Sequence, residues 1–267
     1  MRIARFSVDG GDPRYGIVDA NDDGVDELVV LRGDPIAASI TGGEYDTTGE
    51  RVLLSDAKLL APVIPRSKVV CIGMNYAEHR AELGHVGNEA PLMFLKPNTS
   101  IVGPGDAIQI PPVEGRIVHE GELAIVIGRV AKRVKAADWR SVVFGFTIAN
   151  DVSARDQMFA DGQWARAKGY DTFCPIGPWI ETDLDPLGGL EIQTFVDGEP
   201  RRHGNTSQML NNVAQIIEYA SDVWTLLPGD LIITGTPAGL GGFVAGQTVD
   251  IEIEGIGRLS NPAVMRD

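Results

Sequence analysis

The chain has 267 residues, 43% of them hydrophobic and 22% charged, which allows a sizeable packed core and argues against wholesale disorder. Its formal net charge of -14 argues against nucleic-acid and membrane partners, and an anionic substrate would need a local cation. The two cysteines, Cys71 and Cys174, sit in no CxxC motif, so the expectation is two free thiols in a reducing cytoplasm.

The N-terminal MRIARFSVDGGD lacks the apolar core of a signal peptide, and no apolar run reaches the length of a transmembrane helix. Residues 1–65 read as a small β-rich unit with short strands at Arg2–Val8, Tyr15–Val18 and Glu27–Leu31, separated by GGDP and NDDG turns. Ala61-Pro62-Val63-Ile64-Pro65 then forms a stiff connector, because each proline biases its predecessor toward extended backbone. Residues 66–267 form the larger unit. KVVCIG is a β-branched strand, and NYAEHRAELG is helix-compatible with a glycine stop. LMFLKP, AIQIPP, ELAIVIG, VVFGFTIAND, LEIQTFVDG, DLIITGTPAG and TVDIEIEGIG read as strands. Two or three further helices are expected. One is MLNNVAQIIEYASDVW, with an apolar stripe at Met209, Val213, Ile216, Ile217 and Ala220, and a shorter one is AADWRSVV. Many strands, few helices and no regular βαβ alternation predict a β-rich α+β fold.

HEGELAIVIG, residues 119–128, places two carboxylates at the mouth of an apolar run. On a strand, Glu120 and Glu122 share a face with Ala124 and Val126. Partly buried, two such carboxylates repel unless one takes a proton or a cation sits between them. Asp151 ends the next long apolar strand, so the three carboxylates converge if those strands are neighbours. Three oxygen ligands without cysteine or paired histidine favour Mg2+ or Mn2+ over zinc, with positions left open for a 2-oxo acid and a water. A solvated sheet edge would carry the same ExE pattern.

An anionic substrate at such a site needs fixed cations. Arg155, Arg166 and Lys168 follow Asp151 closely. Arg166 reads as a surface ion pair and Lys168 as functional. His79 and Glu82 stand three apart on one helix face, where a carboxylate orients an imidazole and raises its basicity. Gly84, Gly87 and Asn88 follow and suit a mobile lid. ITGTPAGLGG carries Gly235 and Thr236, whose backbone N–H groups and hydroxyl could receive a carboxylate; a tight turn explains it equally well. It is neither a P-loop nor a dinucleotide fingerprint.

CIGMNYAEHRAE, FLKPNTSIVGPGD, HEGELAIVIG, GFTIANDVSARD and LLPGDLIITGTPAGLG, in this order over residues 66–267, resemble the fumarylacetoacetate hydrolase family. DGQWARAKGYDTFCPIGPWI is similar to bacterial members described as 2-hydroxyhepta-2,4-diene-1,7-dioate isomerase and 5-oxopent-3-ene-1,2,5-tricarboxylate decarboxylase, and to an actinobacterial oxaloacetate decarboxylase. The resemblance implies a mixed β-sandwich roll, a homodimer and a Mg2+ or Mn2+ site. By motif position it implies Glu120, Glu122 and Asp151 as metal ligands and His79 with Glu82 as a lid dyad handling a water or a proton. Lys168 would face the substrate, with Arg155, Gly235 and Thr236 as further contacts. Met74 stands where related sequences often have Arg or Lys, so a substrate-carboxylate contact is missing or comes from elsewhere. Gln157 is one place off a substrate-contacting glutamine, and that role is not carried over.

The expected activity is cleavage of a carbon–carbon bond in a small 2-oxo acid through a metal-bound pyruvate enolate, as in an acylpyruvate hydrolase or oxaloacetate decarboxylase. Isomerisation by the same enolate chemistry is the alternative within the family. A non-catalytic β-rich protein with a structural cation is the alternative outside it. No HExxH or histidine-rich spacing supports a zinc hydrolase.

Overall fold

The computed structural model describes every residue except 43, 83, 85–89 and 240. The fold is β-rich α+β. A long mixed sheet runs, in spatial order, through Thr47–Leu53, Asp26–Leu31, Arg14–Ala20, Arg2–Ser7, Cys174–Glu181, Val143–Asn150, Gly121–Ile127, Leu231–Ile233, Val69–Gly73 and Leu92–Lys96. The strands of residues 1–60 thus extend the sheet of the larger unit: Arg2 pairs with Glu181 and Ile3 with Ile180. A second sheet orders Glu199–Asn205, Glu191–Val196, Thr248–Ile253, Gly257–Met265 and Ile108–Ile110. A third, small sheet joins Ser153–Ala154, Ile117–Val118 and Gly242–Phe243.

The Gly121–Ile127 strand is buried along its whole length, which settles it as an interior strand rather than a solvated edge. Its two faces serve different cores. Leu123, Ile125 and Ile127 pack with Ile216, Ile217 and Ala220 of the Val213–Val223 helix and with Ile192, Ile251 and Ile253 of the second sheet. Ala124 and Val126 pack with Val69, Cys71, Ile176, Leu231 and Ile233. The period-2 alternation therefore points Glu122 toward the second group, beyond which the apolar contacts stop. Gly121 lets the two sheets approach here: a Cβ on it would lie 2.6 Å from Thr194 Oγ1 and 3.0 Å from Ile251 Cγ2.

Two helix expectations need correction. Met209 is not in the long helix, which starts at Val213; Asn212 caps it by accepting from Gln215 N at 3.1 Å, and Met209 instead bridges to Tyr76. Pro35–Thr41, Arg155–Asp161 and Ala165–Lys168 are also helical, beyond the number expected. Each is too short to display an apolar period, although Asp34 before Pro35 is a cap signal the sequence does carry. AADWRSV is a 3-10 segment. Among the described residues no helix is long and apolar enough to cross a membrane.

Ile217 is fully buried between the long helix and the central sheet. Ile217→Ala should lower the unfolding free energy by about 2–5 kcal/mol, since the neighbouring strands cannot collapse into the space. Denaturant melts measure this; a loss under about 1 kcal/mol would mean the helix is not part of the cooperative core.

Candidate active site

The strand register brings the three carboxylates together. Gly121 pairs with Asn150, so Glu120 and Asp151 stand side by side where the two strands end. Two hydrogen bonds fix that end: Glu120 N donates to Asn150 Oδ1 at 3.0 Å, and Asp151 N donates to the Glu120 carbonyl at 2.9 Å. Glu122 enters from the same face one pleat further in. One oxygen from each of Glu120, Glu122 and Asp151 lies within 4.8 Å of the others, and all three residues are buried.

Their charges are balanced unevenly. Lys168 donates to Glu120 Oε2 at 2.8 Å, to Asp151 Oδ2 at 2.5 Å and to Ser153 Oγ at 2.8 Å. Lys96 donates to the other Asp151 oxygen at 2.6 Å and to the Val152 carbonyl at 3.3 Å. Two ammonium groups thus answer two of three negative charges. Burial works against an ionised Glu120, but Lys168, with His79 and Arg202 nearby, holds its carboxyl down to about 2. Burial, then the charges of Asp151 and Glu120, push Glu122 well above the ordinary carboxylate range. Lys168 shows the converse: burial opposes its charge, and Asp151 and Glu120 more than compensate, so it stays an ammonium.

Glu122 receives one backbone donor, Gly235 N–H at 2.5 Å. This corrects the expected role of that amide: Glu122 occupies it, so it is not free for a substrate carboxylate. The cause is local. Gly235 follows the strand paired to Gly121–Ile127 and takes φ +94, a left-handed conformation where a Cβ would lie 2.8 Å from Asn75 Cβ. Asn75 holds the same turn by donating to the Thr234 carbonyl at 2.8 Å.

His79 and Glu82 sit on the short Ala77–Glu82 helix, with His79 Nδ1 3.1 Å from Glu82 Oε2. Glu82 Oε1 accepts from Gly239 N at 3.0 Å, which ties the helix to the glycine-rich loop. Burial outweighs every other effect on His79 and, with Arg202, lowers the imidazole below its ordinary value, although Glu120 and, as expected, Glu82 raise its basicity. The ring is therefore neutral at pH 7. Its Nδ1 proton faces Glu82, and Nε2 remains as an acceptor. Gly84 N–H bonds the Ala81 carbonyl at 3.0 Å, while Gly87 and Asn88 of the expected lid lie outside the described residues.

Around these groups is a narrow cleft lined by His79, Glu120, Glu122, Asp151, Arg155 and Lys168. Gly235, Thr236 and Met74 also line it, and Phe94 and Trp164 form an aromatic wall under the Lys168 ammonium at 5.0 and 5.7 Å. All nine proposed site residues are therefore brought together, Glu82 through its contact with His79. Arg166 pairs with Asp161 at the surface, as expected. Sequence reasoning missed Lys96 and Arg202. Lys96 had a signal: it shares a strand face with Phe94 in LMFLKP and ends an apolar run. Arg202 lies in EPRRHGN, whose polar sequence carries none.

The donor set fits a hard cation. Every donor is a carboxylate oxygen, and no Lys or Arg ion pair reaches Glu122 among the described residues, so without a bound cation burial and its two carboxylate neighbours favour its neutral form.

Comparison with known proteins gives the family. The family described as "Fumarylacetoacetate (FAA) hydrolase C-terminal" matches residues 68–264, and "Rv2993c-like, N-terminal" matches residues 1–62. Protein Rv2993c of Mycobacterium tuberculosis is 54% identical over 82% of this chain and 83% of its own. Oxaloacetate tautomerase Fahd2a, mitochondrial, of Rattus norvegicus is 42% identical over 79% of this chain and 70% of its own. Among solved structures, 2-hydroxyhepta-2,4-diene-1,7-dioate isomerase from Mycobacterium marinum superposes with a TM-score of 0.89 at 47% identity, covering 100% and 99% of the two chains. Maleylpyruvate hydrolase from Sphingobium sp. SYK-6, in complex with manganese(II) and pyruvate, superposes at 0.79 and 32% identity over the whole of both chains.

Glu122 yields a test with opposite signs. A carboxyl raised above its ordinary 4.5 contributes stability that is fully present below that pH and is lost as pH climbs through the folded value. Glu122→Gln removes that loss. Without divalent ions at pH 8 the variant should be more stable than the wild type, and the difference should shrink as the pH is lowered toward 4.5. With Mn2+ added, thermal melts should show stabilisation of the wild type and almost none of the variant. A variant less stable than the ion-free wild type would mean that Glu122 is already compensated.

Proposed function

The chain belongs to the fumarylacetoacetate hydrolase family, and on that premise we propose that it is a divalent-metal-dependent enzyme that cleaves a carbon–carbon bond in small 2-oxo acids. The observation that carries this reading is the conjunction of a neutral, carboxylate-oriented His79 with a three-carboxylate floor in one cleft. A divalent cation bound there, Mg2+ or Mn2+, supplies a Lewis acid for the 2-oxo group and the adjacent carboxylate oxygen.

The chain's own residues do the rest. With an acylpyruvate, His79 Nε2 takes a proton from water as the oxygen attacks the distal carbonyl, and Glu82 stabilises the imidazolium through Nδ1–H. The C3–C4 bond breaks, its electron pair stays on C3 of the pyruvate fragment, and the proton on Nε2 is available to C3. With oxaloacetate, CO2 departs and leaves the C3–C4 electron pair on C3, which takes its proton from solvent because Nε2 carries none when no water has been deprotonated. Lys168 and Arg155 place positive charge beside the developing anion, and Phe94 and Trp164 keep water from that side.

A second reading, isomerisation or tautomerisation without cleavage, is favoured by the two relatives whose names carry those reactions. Proton transfer between C3 and the 2-oxo oxygen would use the same histidine.

The test is pyruvate release by EDTA-stripped protein from oxaloacetate and from acetylpyruvate, with and without Mn2+, against a metal-only blank. Metal-dependent release well above the blank is expected, with His79→Gln lowering kcat by about 10²–10⁴-fold. Loss of enol absorbance without pyruvate would replace cleavage by tautomerisation.

A further inference from the structure

A second opening lies at the far end of the strands that lead to the cleft. The Val69–Gly73 and Leu231–Ile233 strands run parallel, with Val69 beside Leu231 and Cys71 beside Ile233. Their C-terminal ends reach the cleft, at Gly73 and at Gly235. Just before their N-terminal ends, the connector residues Val63, Ile64 and Arg66 and the turn at Pro228 and Gly229 line a groove. The rest of its lining belongs to the N-terminal unit. Arg5 and Tyr15, paired across two strands, contribute, as do Asp34 and the Pro35–Thr41 helix that it caps. The groove shares no lining residue with the cleft.

This groove is amphipathic. Ile36 and Val63 are buried, whereas Ile40 and Ile64 remain 45% and 52% exposed. Its charged groups are only loosely matched. Arg5 makes no ion pair among the described residues, and its one side-chain hydrogen bond, Nη1 to the Ala61 carbonyl, is 3.5 Å long. Arg66 reaches Asp34 Oδ2 at 4.0 Å. Asp34 is committed elsewhere: its Oδ1 accepts from Ile36 N at 2.8 Å and from Ala37 N at 3.4 Å. Burial, then the charge of Asp34, hold the Tyr15 phenol above its ordinary range, so it remains a neutral donor. Arg5, Arg66 and Asp34 sum to +1, in a chain of formal charge -14. Exposed arginines alone need no ligand, since water satisfies them. Here they border half-exposed isoleucines and a phenol, the composition of a pocket with an apolar wall and a few orienting polar groups.

We propose that this groove is a second binding site, separate from the catalytic cleft, for a small organic monocarboxylate with an apolar body. The carboxylate meets Arg5, Arg66 and the Tyr15 hydroxyl, and the body covers Ile40 and Ile64. One negative charge matches the local +1. An inorganic anion would leave the isoleucines in water, and a neutral apolar molecule would strip water from the guanidinium groups without replacing it.

The experiment is a calorimetric titration of EDTA-stripped protein with benzoate. Acetate, the charge without the body, and benzamide, the body without the charge, are the controls. Benzoate should bind with Kd on the order of 1 mM, and at least about tenfold more tightly than either control. Arg5→Gln removes a charged donor and Ile64→Asp sets a like charge against the ligand, and each should weaken benzoate by at least about tenfold. Thermal melts check the variants; if Arg5→Gln does not fold, Ile64→Asp alone decides, at a position already half exposed. Benzoate binding that is absent, that equals acetate binding, or that is unchanged in the folded variants would overturn the proposal. So would loss of a dimer in Ile64→Asp with benzoate affinity intact, which would assign the groove to a second copy of the chain. No arm depends on turnover, so the result stands apart from the activity proposed for the cleft.

Discussion

Three carboxylates share one buried space, and the surrounding fold is arranged to make that tolerable. Two unit charges about 4–5 Å apart at the effective dielectric of a protein repel by roughly 3–4 kcal/mol, and there are three such pairs. The chain answers with Lys168 across Glu120 and Asp151, and with Lys96 on the far oxygen of Asp151. Both ammonium groups are almost completely buried, and for Lys168 those carboxylates more than offset the burial that opposes its charge. Cations and anions here are conditions for one another. Only Glu122 is left over, and the site retains an unmet demand for positive charge at one point.

The backbone supplies the precision. Glu120 and Asp151 sit just where the antiparallel pair 121–127 and 143–150 ends, and the Asn150 side chain caps the amide of Glu120. On the other side of the central strand, the short Leu231–Ile233 strand delivers Gly235 directly over Glu122. The same loop then runs to Pro237, held by Arg202, and to Gly239, held by Glu82. One loop therefore joins the carboxylate floor, the dyad helix and the second sheet. Rigid strands fix the floor, while the dyad rides on a helix of six residues whose described link to the loop is a single hydrogen bond. That division fits the role proposed for His79, a base carried on a short helix above a floor fixed by strands.

Much of this was legible in the sequence. Strand parity put Glu120 and Glu122 on one face, and the position of Asp151 at the end of an apolar run brought the third carboxylate to them. The i,i+3 spacing paired His79 with Glu82. What escaped depended on contacts between segments far apart in the chain. Parity could have marked Lys96, but only the sheet shows that its ammonium meets Asp151, 55 residues on. Arg202 lies in a strand with no hydrophobic pattern, and nothing local says that it passes under a loop 35 residues later. The sign of the His79 shift was missed for the same reason: spacing reveals the carboxylate partner, whereas the burial that outweighs it belongs to the tertiary fold.

The net charge of -14 and the proposed anionic substrate are reconciled by distance. At physiological ionic strength surface charges are screened beyond about 8 Å, so the acidic exterior says little about the field inside the cleft. Within it, Glu120, Glu122 and Asp151 face Lys96 and Lys168, a local sum of -1 before any ion is bound. A divalent cation turns that sum to +1. Arg155 and Arg202 add two further charges and Glu82 removes one, which leaves +2. The same groups, all ionised, sum to 0 without the ion, so loading a divalent cation would raise the local charge met by the proposed anionic substrate from 0 to +2 with no change of shape.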